Sequence, residues 1–477
     1  MKGHILFINP NPRLEDQFGI FKKLSNVIPP LGVAYIGAVL EKNGFTCSFI
    51  DGGIVKDWIK KIGCQLKQKD VLAVYITSTS MAFGMAIRAA KAIKAIDKRI
   101  PVVVGGAHIS ELPNDLLSCE EIDYGVVGEG EMPGLQIANA LAKGDRELKG
   151  ISGLVWRNNG GVIVEPLACL TSLDDLPLPA WHLFSGWRNY SHSPIHVKRQ
   201  PSAHLVTSRY CPMGCKFCTT EVSRKSYRAM SPERVIDQLK AMQRQFCIKD
   251  VRFFDDSFTL NKKRTIAICD TMLKEGIDIS WACLTRVDCV DKELLTLMKK
   301  AGCWQILIGP QSGDERILKE MKTGFSKNDV YSAVETAHSV GLSIRADYII
   351  GYPGETVDSI EATYKFACEL NTDLAEFNIF VPYPGTPVYF EIKDKGELIH
   401  EDYTKYTTVA TSRKDFRPYT PPGISSEQLI SYFFKFHKQY YLRPRYISSI
   451  LVSSIRNGFI QNLIKCAPLL FATFKKN

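Results

Sequence analysis

The segment Ser208-Arg209-Tyr210-Cys211-Pro212-Met213-Gly214-Cys215-Lys216-Phe217-Cys218 places three cysteines, spaced four and three residues apart, on one short loop. A strand candidate, His204–Thr207, comes directly before it. Thiolates are the usual ligands of iron–sulfur clusters. Three thiolates from one loop can hold a four-iron cluster and leave one iron with an open position, as a catalytic metal requires. The loop therefore predicts a [4Fe–4S] cluster on its three cysteines.

A structural zinc site, or three unrelated thiols, is the alternative for this loop. Zinc in such a site takes a fourth Cys or His ligand close by. The nearest downstream candidate, Cys247, lies far along the chain beyond a predicted helix. The spacing therefore favours the iron–sulfur cluster.

An alternating series of strands and helices surrounds the loop from about Ala203 to Tyr383. Its strand candidates are His204–Thr207, Val251–Phe254, Ser280–Leu284, Gln305–Ile308, Ser343–Ile350 and Ala375–Phe380. Six strand–helix units of this kind predict a partial (β/α)6 barrel of the TIM type. Chemistry in such barrels lies at the carboxyl ends of the strands, where the cysteine loop falls.

Residues 1–150 contain an earlier series of short apolar strands separated by helical segments. The strand candidates are Ile5–Ile8, Thr46–Ile50, Val71–Ile76, Pro101–Val104 and Tyr124–Val127. This pattern predicts a doubly wound α/β domain of the flavodoxin or Rossmann type, with helices on both faces of a parallel sheet. Ligands of such sheets lie beyond the carboxyl ends of the strands.

The segment between the two series predicts a connector. Gly160-Gly161 indicates a hairpin turn between two short strands, and prolines punctuate residues 176–181. The predicted domains are an N-terminal α/β domain over 1–150, a connector over 151–200, the partial barrel over 201–385 and a C-terminal extension over 386–477.

The composition is that of a globular protein with ordinary cores. The chain has 477 residues, of which 45% are hydrophobic and 23% charged, and it has 14 scattered cysteines. No secretory signal opens it, and no apolar run reaches the ~18–20 residues of a spanning helix. We therefore expect a cytoplasmic protein whose cysteines are free, catalytic or metal-bound.

Most of the net charge of +10 lies in the C-terminal tail. From Gln428 to the end there are eight lysines or arginines and no acidic residue. This local distribution is not the footprint of a nucleic-acid-binding protein. Residues 425–477 read as mostly helical, and we favour a helix that packs on the barrel with a solvated basic face. The alternative is a peripheral contact with anionic lipid, at the inner face of the membrane, or with a lipid-like substrate.

The cysteine motif, with Phe217 before its last cysteine, resembles that of the radical S-adenosylmethionine (SAM) superfamily. The resemblance extends over the barrel series and implies that SAM chelates the open iron and is cleaved reductively to a 5′-deoxyadenosyl radical. It also implies a set of SAM contacts at successive strand ends. These are Asp255 and Asp256 for the amino group, Arg286 for the carboxylate, Gln311 and Ser312 for the ribose, and Gly351 and Pro353 on the adenine side. The family more often has Glu where this chain has Gln311.

The first domain resembles the cobalamin-binding domain that precedes the barrel in many radical SAM enzymes. The matching pieces are Pro29–Gly32, Thr77–Ser80, Val104–His108 and Val127–Glu131. The resemblance implies cobalamin contacts from Thr77, Ser78, Ser80, Gly105, Gly106, Gly128 and Glu129. The loop Asn9–Leu14 lacks the His that ligates cobalt in many such domains, and we expect His108 to shape the pocket or cap structure rather than bind cobalt.

The two resemblances together imply a radical methylase that acts on an unactivated carbon, or on phosphorus, of a small molecule or lipid through methylcobalamin. The alternatives are a cobalamin-dependent radical cyclase, ring-rearranging enzyme or oxidoreductase without methyl transfer, and a non-catalytic cobalamin- or redox-responsive interaction protein. The expected partners are the substrate and a reductant such as flavodoxin or ferredoxin. No residue stands out in the sequence as a general base.

Overall fold

A computed structural model describes the chain in segments. They are residues 2–11, 27–158, 160–167, 172–184, 190, 192–193, 196–219, 227–399, 402–403, 406, 408 and 419–448. These residues form two compact units. The first comprises the described residues within 1–17, 29–190 and 401–406, and the second those within 18–28, 191–400 and 407–477.

The first unit is a seven-stranded sheet. Its strands are β1 (His4–Asn9), β2 (Thr46–Asp51), β3 (Val71–Thr77), β4 (Val102–Gly105), β5 (Tyr124–Val126), β6 (Leu154–Asn158) and β7 (Gly161–Val164). Their order in the sheet is β2-β1-β3-β4-β5-β6-β7. The first five are parallel, in the 2-1-3-4-5 order of flavodoxin-like folds. The predicted doubly wound fold is therefore confirmed.

Helices connect these strands. They are α1 (Leu31–Lys42), α2 (Trp58–Gln68), α3 (Phe83–Ile96), α4 (Ala107–Glu111) and α5 (Glu131–Ala142). Strand β1 is buried along its whole length and pairs with a strand on each side, β2 and β3. Helix α3 buries a row of small residues, Ala86, Ala89 and Ala90, which lets its backbone approach the sheet closely.

The end of the first domain differs from the predicted boundary at residue 150. Strands β6 and β7 form the hairpin predicted at Gly160-Gly161, and β6 pairs antiparallel with β5. Residue 180 also belongs here, since its backbone N–H donates to Ala34 O at 3.0 Å. Most of the predicted connector is thus part of the first unit. An edge strand such as β5 exposes unpaired backbone groups, and the hairpin satisfies them.

The second unit contains six parallel strands in sequential order. They are β8 (Ser202–Leu205), β11 (Asp250–Phe253), β12 (Ser280–Leu284), β13 (Cys303–Gln311), β14 (Ser343–Ile350) and β15 (Leu374–Ile379). The short strands β9 (Ser208–Arg209) and β10 (Arg228–Ala229) form a separate antiparallel pair. The alternating strands and helices are the predicted (β/α)6 series.

The helices of the second unit follow the strands in turn. They are α6 (Pro232–Phe246), α7 (Lys262–Lys274), α8 (Lys292–Lys300), α9 (Glu315–Glu320), α10 (Lys327–Ser339), α11 (Val357–Leu370), α12 (Pro387–Asp394) and α13 (Ser426–Tyr441). Helices α12 and α13 lie within the predicted C-terminal extension but belong to the same compact unit as the barrel strands.

Helix α13 covers the outer edge of β15 and supplies partners for its backbone. The Tyr441 hydroxyl accepts from Ala375 N at 3.1 Å and donates to Ala375 O at 2.8 Å. The ring of His437 accepts from Phe377 N at 3.3 Å through Nε2. Side chains of one helix thereby replace the strand that a closed barrel would place here.

The described part of the tail therefore packs on the barrel, as we favoured from the sequence. Lys435, one of its basic residues, pairs with Glu361 at 2.7 Å. Residues 449–477, which carry four of the eight basic residues, lie outside the described residues. No described helix has both the length and the apolar character needed to cross a membrane.

Replacement of Tyr441 by Phe tests this edge. Because both backbone groups of Ala375 lose their partner, we expect the second unit to be destabilised by about 1–3 kcal/mol. Thermal unfolding followed by circular dichroism would show this as a lower midpoint. Tyr432→Phe on the same helix is the matched control, since Tyr432 packs on Phe436. Equal midpoints for the two variants would contradict the role of Tyr441.

Candidate functional site

The three cysteines lie on a loop that follows β8 and β9. All three side chains are partly buried and free of disulfides. The loop is fixed from both sides, because Lys216 N donates to Met321 O at 3.0 Å and Val388 N donates to Lys216 O at 3.1 Å. A ligand loop held in this way keeps its cysteines in place before any cofactor binds.

Charges around the loop affect the thiols. Burial raises the pKa of Cys215, and the Arg286 guanidinium opposes that shift. Burial also raises the pKa of Cys211, again against Arg286. Because a thiol binds metal as the thiolate, the nearby guanidinium stabilises the form that a cluster needs. Within the described segments, no three His, Cys, Asp or Glu side chains form a site for a single metal ion. The donor set, three thiols on one fixed loop beside a cation, fits an iron–sulfur cluster.

Asp255, just beyond β11, is completely buried beneath this loop. Its Oδ1 accepts from Thr207 N at 2.6 Å, and its Oδ2 accepts from the hydroxyls of Thr207 and Ser208, both at 2.7 Å. Arg264 completes the network by donating from Nη2 to Thr207 Oγ1 at 2.8 Å. Asp255 therefore attaches the start of the cysteine loop to the neighbouring strand.

Asp255 was predicted to contact SAM, but its buried position differs from that prediction. A buried carboxylate that already accepts three hydrogen bonds has no accessible oxygen for a SAM ammonium. Asp256, by contrast, is exposed and close enough to Cys211 to raise the pKa of that thiol. The pair thus divides into an internal positioning residue and an open carboxylate. Sequence alone did not distinguish the two, because adjacent residues after a strand point to opposite sides.

Arg286 lies beside the cysteine loop, but most of its donors are in use. Its Nε and Nη2 donate to Asp288 at 2.9 and 2.7 Å, and Nη2 also donates to Thr323 O at 2.9 Å. Its contact with the SAM carboxylate stays a prediction. Its charge, however, acts directly on the cluster loop.

At the end of β13, the predicted residue Gln311 is partly exposed and the predicted residue Ser312 is buried. Gln311 is partly exposed, with a positive φ of 63°. Its side chain folds over Gly309, where an added Cβ would lie 2.0 Å from Gln311 Nε2. Ser312 is fully buried, and its hydroxyl lies 3.2 Å from Thr363 Oγ1 on α11. Ser312 therefore packs inside the fold, whereas the sequence predicted that it would contact the ribose.

The glycine–proline turn after β14 is organised by a residue that the sequence reasoning did not single out. Glu355 is buried, and its Oε2 accepts from Gly351 N at 2.5 Å and Tyr352 N at 3.0 Å. Gly351 has a φ of 85°, and an added Cβ would lie 2.6 Å from Leu429 on α13. Pro353 is partly exposed at the same turn. Burial raises the pKa of Glu355 to about 8, although the two N–H groups oppose the shift.

In the first unit, predicted cobalamin residues meet at the carboxyl ends of β3 and β4. Thr77 pairs with Gly105 in the sheet, and Ser78 N donates to Gly105 O at 2.8 Å. Gly106 has a φ of 99°, and an added Cβ would lie 2.6 Å from Ser78 O. Only glycine fits at that position. The result is a strand-end edge with small, partly exposed Thr77 and Gly105, which suits close approach of a large nucleotide-bearing cofactor.

The other predicted residues of this edge lie around it. Ser80 and Glu129 are partly exposed, and Gly128 N donates to Ser110 Oγ at 3.0 Å. His108 is fully buried, with Nδ1 3.2 Å from Ser80 Oγ and Nε2 3.0 Å from Asp115 Oδ2. Both ring nitrogens are thus engaged. His108 shapes the edge, as predicted, and is not available as a metal ligand in this arrangement.

Comparison with known proteins places both halves of the chain. The radical SAM superfamily profile matches residues 205–367, and the B12 binding domain profile matches residues 19–137. An uncharacterized methyltransferase of Pyrococcus horikoshii is 36% identical over 91% of this chain and 91% of its own length. The anaerobic magnesium-protoporphyrin IX monomethyl ester cyclase of Cereibacter sphaeroides is 26% identical over 92% of this chain and 70% of its own.

A solved structure shares the fold. It is the radical SAM methyltransferase TsrM from Kitasatospora setae, with cobalamin and a [4Fe–4S] cluster bound. The TM-score is 0.68 at 19% identity, and the match covers 91% of this chain and 82% of that chain.

Asp255→Asn and Asp256→Asn should separate the two aspartates. Loss of the charge-assisted bonds to Thr207 and Ser208 should lower the iron retained by Asp255→Asn after anaerobic reconstitution by roughly ten-fold, or about 1.4 kcal/mol. Asp256→Asn should keep its iron but lose the change that SAM produces in the electron paramagnetic resonance (EPR) spectrum. A fully loaded Asp255→Asn protein that lacks only the SAM response would overturn the assignment.

Glu355→Gln should change how stability depends on pH. The folded pKa of about 8 lies above the ordinary 4.5, so between these values the folded state holds a proton that the unfolded chain has lost. This contribution to the free energy of unfolding therefore falls as pH rises through that window, by up to about 1.4 kcal/mol per pH unit. Unfolding midpoints of wild type and variant, measured across the window, should diverge with the variant flatter. Parallel curves would be the contrary result.

Proposed function

Because this chain belongs to the radical SAM superfamily, in the branch that carries a B12 binding domain, we propose that it methylates an unactivated carbon or phosphorus of a small molecule or lipid. One observation carries the proposal. Both family domains occur in one chain, and a relative named as a methyltransferase is 36% identical over 91% of that chain. The enzyme uses a [4Fe–4S] cluster, SAM and cobalamin.

The chemistry of the reaction belongs to these groups. When bound, the cluster and SAM supply a 5′-deoxyadenosyl radical, and cobalamin supplies a transferable methyl group. Residues of the chain hold and orient them. Cys211, Cys215 and Cys218 hold the cluster, Asp255 fixes their loop, and Asp256 offers a carboxylate to the SAM ammonium.

Cobalamin would lie at the strand-end edge of the first unit. Thr77 and Ser80 offer partly exposed hydroxyl groups there, and Gly105 and Gly106 allow close approach of the backbone. Ser78, predicted as a contact, is buried and donates its hydroxyl to Thr79 O at 3.0 Å, so it supports the edge from within. These assignments rest on the partial exposure of the edge and on the clash that a side chain at Gly106 would create. Asp256, Arg286, Gln311, Gly351 and Pro353 remain our proposed SAM contacts.

A radical cyclase without methyl transfer is the second candidate. It is favoured by the cyclase of Cereibacter sphaeroides, which is similar over 92% of this chain. Its reaction would consume SAM and release 5′-deoxyadenosine without a methyl group in the product. The third candidate, a non-catalytic cobalamin- or redox-responsive interaction protein, would release neither.

Two further features of the proposal concern the cellular setting. We propose a reductant of the flavodoxin or ferredoxin class, because the cluster must receive one electron for each cleavage of SAM. We also propose a reducing compartment, the cytoplasm, since no described cysteine forms a disulfide. Peripheral contact of the basic tail with anionic lipid, at the inner face of the membrane, stays a proposal that depends on residues 449–477.

The test uses the full chain, reconstituted anaerobically with iron, sulfide and cobalamin. Given trideuteromethyl-SAM, a reductant and a metabolite extract, it should form 5′-deoxyadenosine and a product that carries the deuterated methyl group. The triple serine variant of the three cysteines should form neither. Deoxyadenosine without label in any product would favour the cyclase, and the absence of both from wild type would favour the non-catalytic alternative.

A further inference from the structure

The inner face of the partial barrel is accessible along β14 and β15. On β14 the residues Arg345, Asp347 and Ile349 are partly exposed, whereas their neighbours on the opposite face are buried. On β15 the same alternation leaves Leu374, Glu376 and Asn378 partly exposed. Side chains fill the interior of a closed barrel in packed layers. Here alternate side chains along β14 and β15 keep part of their surface accessible.

Two carboxylates lie side by side on this wall. Asp347 and Glu376 are register partners on adjacent strands, and their side chains are 28% and 31% exposed. Arg345 connects them, since its Nε lies 3.1 Å from Asp347 Oδ1 and its Nη2 lies 2.7 Å from Glu376 Oε2. A charged group of this kind inside a barrel marks a candidate binding site when it is reachable from solvent.

The donors of Arg345 are occupied, whereas acceptor capacity remains on the two carboxylates. Arg345 also donates through Nη1 toward His196 Nε2 at 3.2 Å, so each of its three nitrogens has a partner. Beneath the cluster, Arg252 is 2% exposed and donates to His196 O at 2.6 Å. The Arg345 guanidinium therefore has no nitrogen left for an anion. Arg252 Nε has no hydrogen-bond partner among the described residues, but the side chain is buried beneath the wall. An ionised carboxylate, however, accepts up to about four hydrogen bonds, so Asp347 and Glu376 can take donors from a ligand.

The pKa shifts of Asp347 and Glu376 also favour a site that accepts hydrogen bonds from a ligand. Burial and the neighbouring Glu376 raise the pKa of Asp347 to about 7, although Arg345 opposes the shift. Burial alone would raise the pKa of Glu376, but Arg345 and His196 outweigh it and hold it near 2. Arg345 and His196 therefore favour the ionised form of Glu376, whereas burial and Glu376 itself disfavour that of Asp347.

A second observation at the same inner face is independent of the acidic pair. His192 is 4% exposed, and its ring lies 5.9 Å from that of His204 and 6.4 Å from that of Phe254. Its Nδ1 is 3.0 Å from Ser202 Oγ, but its Nε2 has no hydrogen-bond partner among the described residues. A buried polar atom without a partner is costly unless a ligand or water satisfies it.

The remainder of this wall is apolar. Leu284 and Leu307 are register partners, and Leu307 is in turn a register partner of Arg345. Both leucines are partly exposed, as is Ile349. A ligand here would contact hydrocarbon on one side and acceptor oxygens on the other.

From these observations we infer that the substrate is a cationic small molecule with an apolar body, whose ammonium or amidinium group binds Asp347 and Glu376. The inference rests on the proposed function and narrows it. It disfavours phosphorylated substrates, because the donors of Arg345 are already bound to the two carboxylates, and pure hydrocarbon lipids, which would leave the remaining acceptor sites of the carboxylates without a donor.

The experiment sorts a metabolite extract by charge. An organic phase holds lipids, and a cation-exchange column divides the aqueous phase into a retained fraction and a flow-through. Each fraction is incubated with the reconstituted protein and trideuteromethyl-SAM. The deuterated methyl group should appear in a product of the retained fraction. Asp347→Asn and Glu376→Gln should each reduce that product about ten-fold or more, as loss of one charge-assisted bond predicts. The same retained fraction should raise the unfolding midpoint of wild type but not of either variant.

Two controls keep the outcomes separate. Glu361→Gln removes a carboxylate that pairs with Lys435 outside the barrel interior and should behave as wild type. Wild type and Glu361→Gln should also form equal amounts of deoxyadenosine without added extract, because Glu361 touches neither the cysteine loop nor the acidic pair. Label in the lipid phase or the flow-through, or full labelling by Asp347→Asn and Glu376→Gln, would overturn the inference. Deoxyadenosine without label in any fraction would instead contradict the proposed methyl transfer, and with it this substrate class.

Discussion

The attachment of the cysteine loop to the neighbouring strand, through the buried Asp255, is the constraint on which the rest of the site depends. A loop of three thiols can hold a cluster only if its start is fixed, and Thr207 and Ser208 provide that start by donating to one carboxylate. Burying a carboxylate is costly unless it is fully hydrogen-bonded. Here three bonds and the nearby Arg264 offset that cost, so the network favours one loop conformation over others.

Much of the fold could be predicted because its signals are local. Strands Ser280–Leu284 and Ser343–Ile350 have the predicted bounds, since apolar runs between helical segments mark them clearly. The hairpin at Gly160-Gly161 was predicted as well. Its pairing with β5 was not, because pairing between strands far apart in the sequence produces no local sequence pattern. The covering of β15 by His437 and Tyr441 escaped prediction for the same reason.

The sequence predicted which residues lie near the site, but not which way their side chains point. Spacing located the cysteines and the strand ends around them. It did not show that Asp255 and Ser312 turn inward whereas Asp256 and Gln311 remain accessible, since a one-residue shift reverses the side that a side chain faces. Glu355 and Thr363 were missed because neither role produces a sequence motif. Glu355 binds backbone N–H groups, and Thr363 contacts a buried hydroxyl. The inner-face pair Asp347 and Glu376 became visible only when the register placed the two side by side.

The central claim is that Cys211, Cys215 and Cys218 hold a [4Fe–4S] cluster with one iron open to SAM. EPR spectroscopy of the anaerobically reconstituted and reduced protein, recorded before and after addition of SAM, tests it most directly. The account predicts the signal of a reduced four-iron cluster whose spectrum changes when SAM binds. A protein that takes up no cluster, or a cluster spectrum that SAM leaves unchanged at saturating concentration, would contradict it.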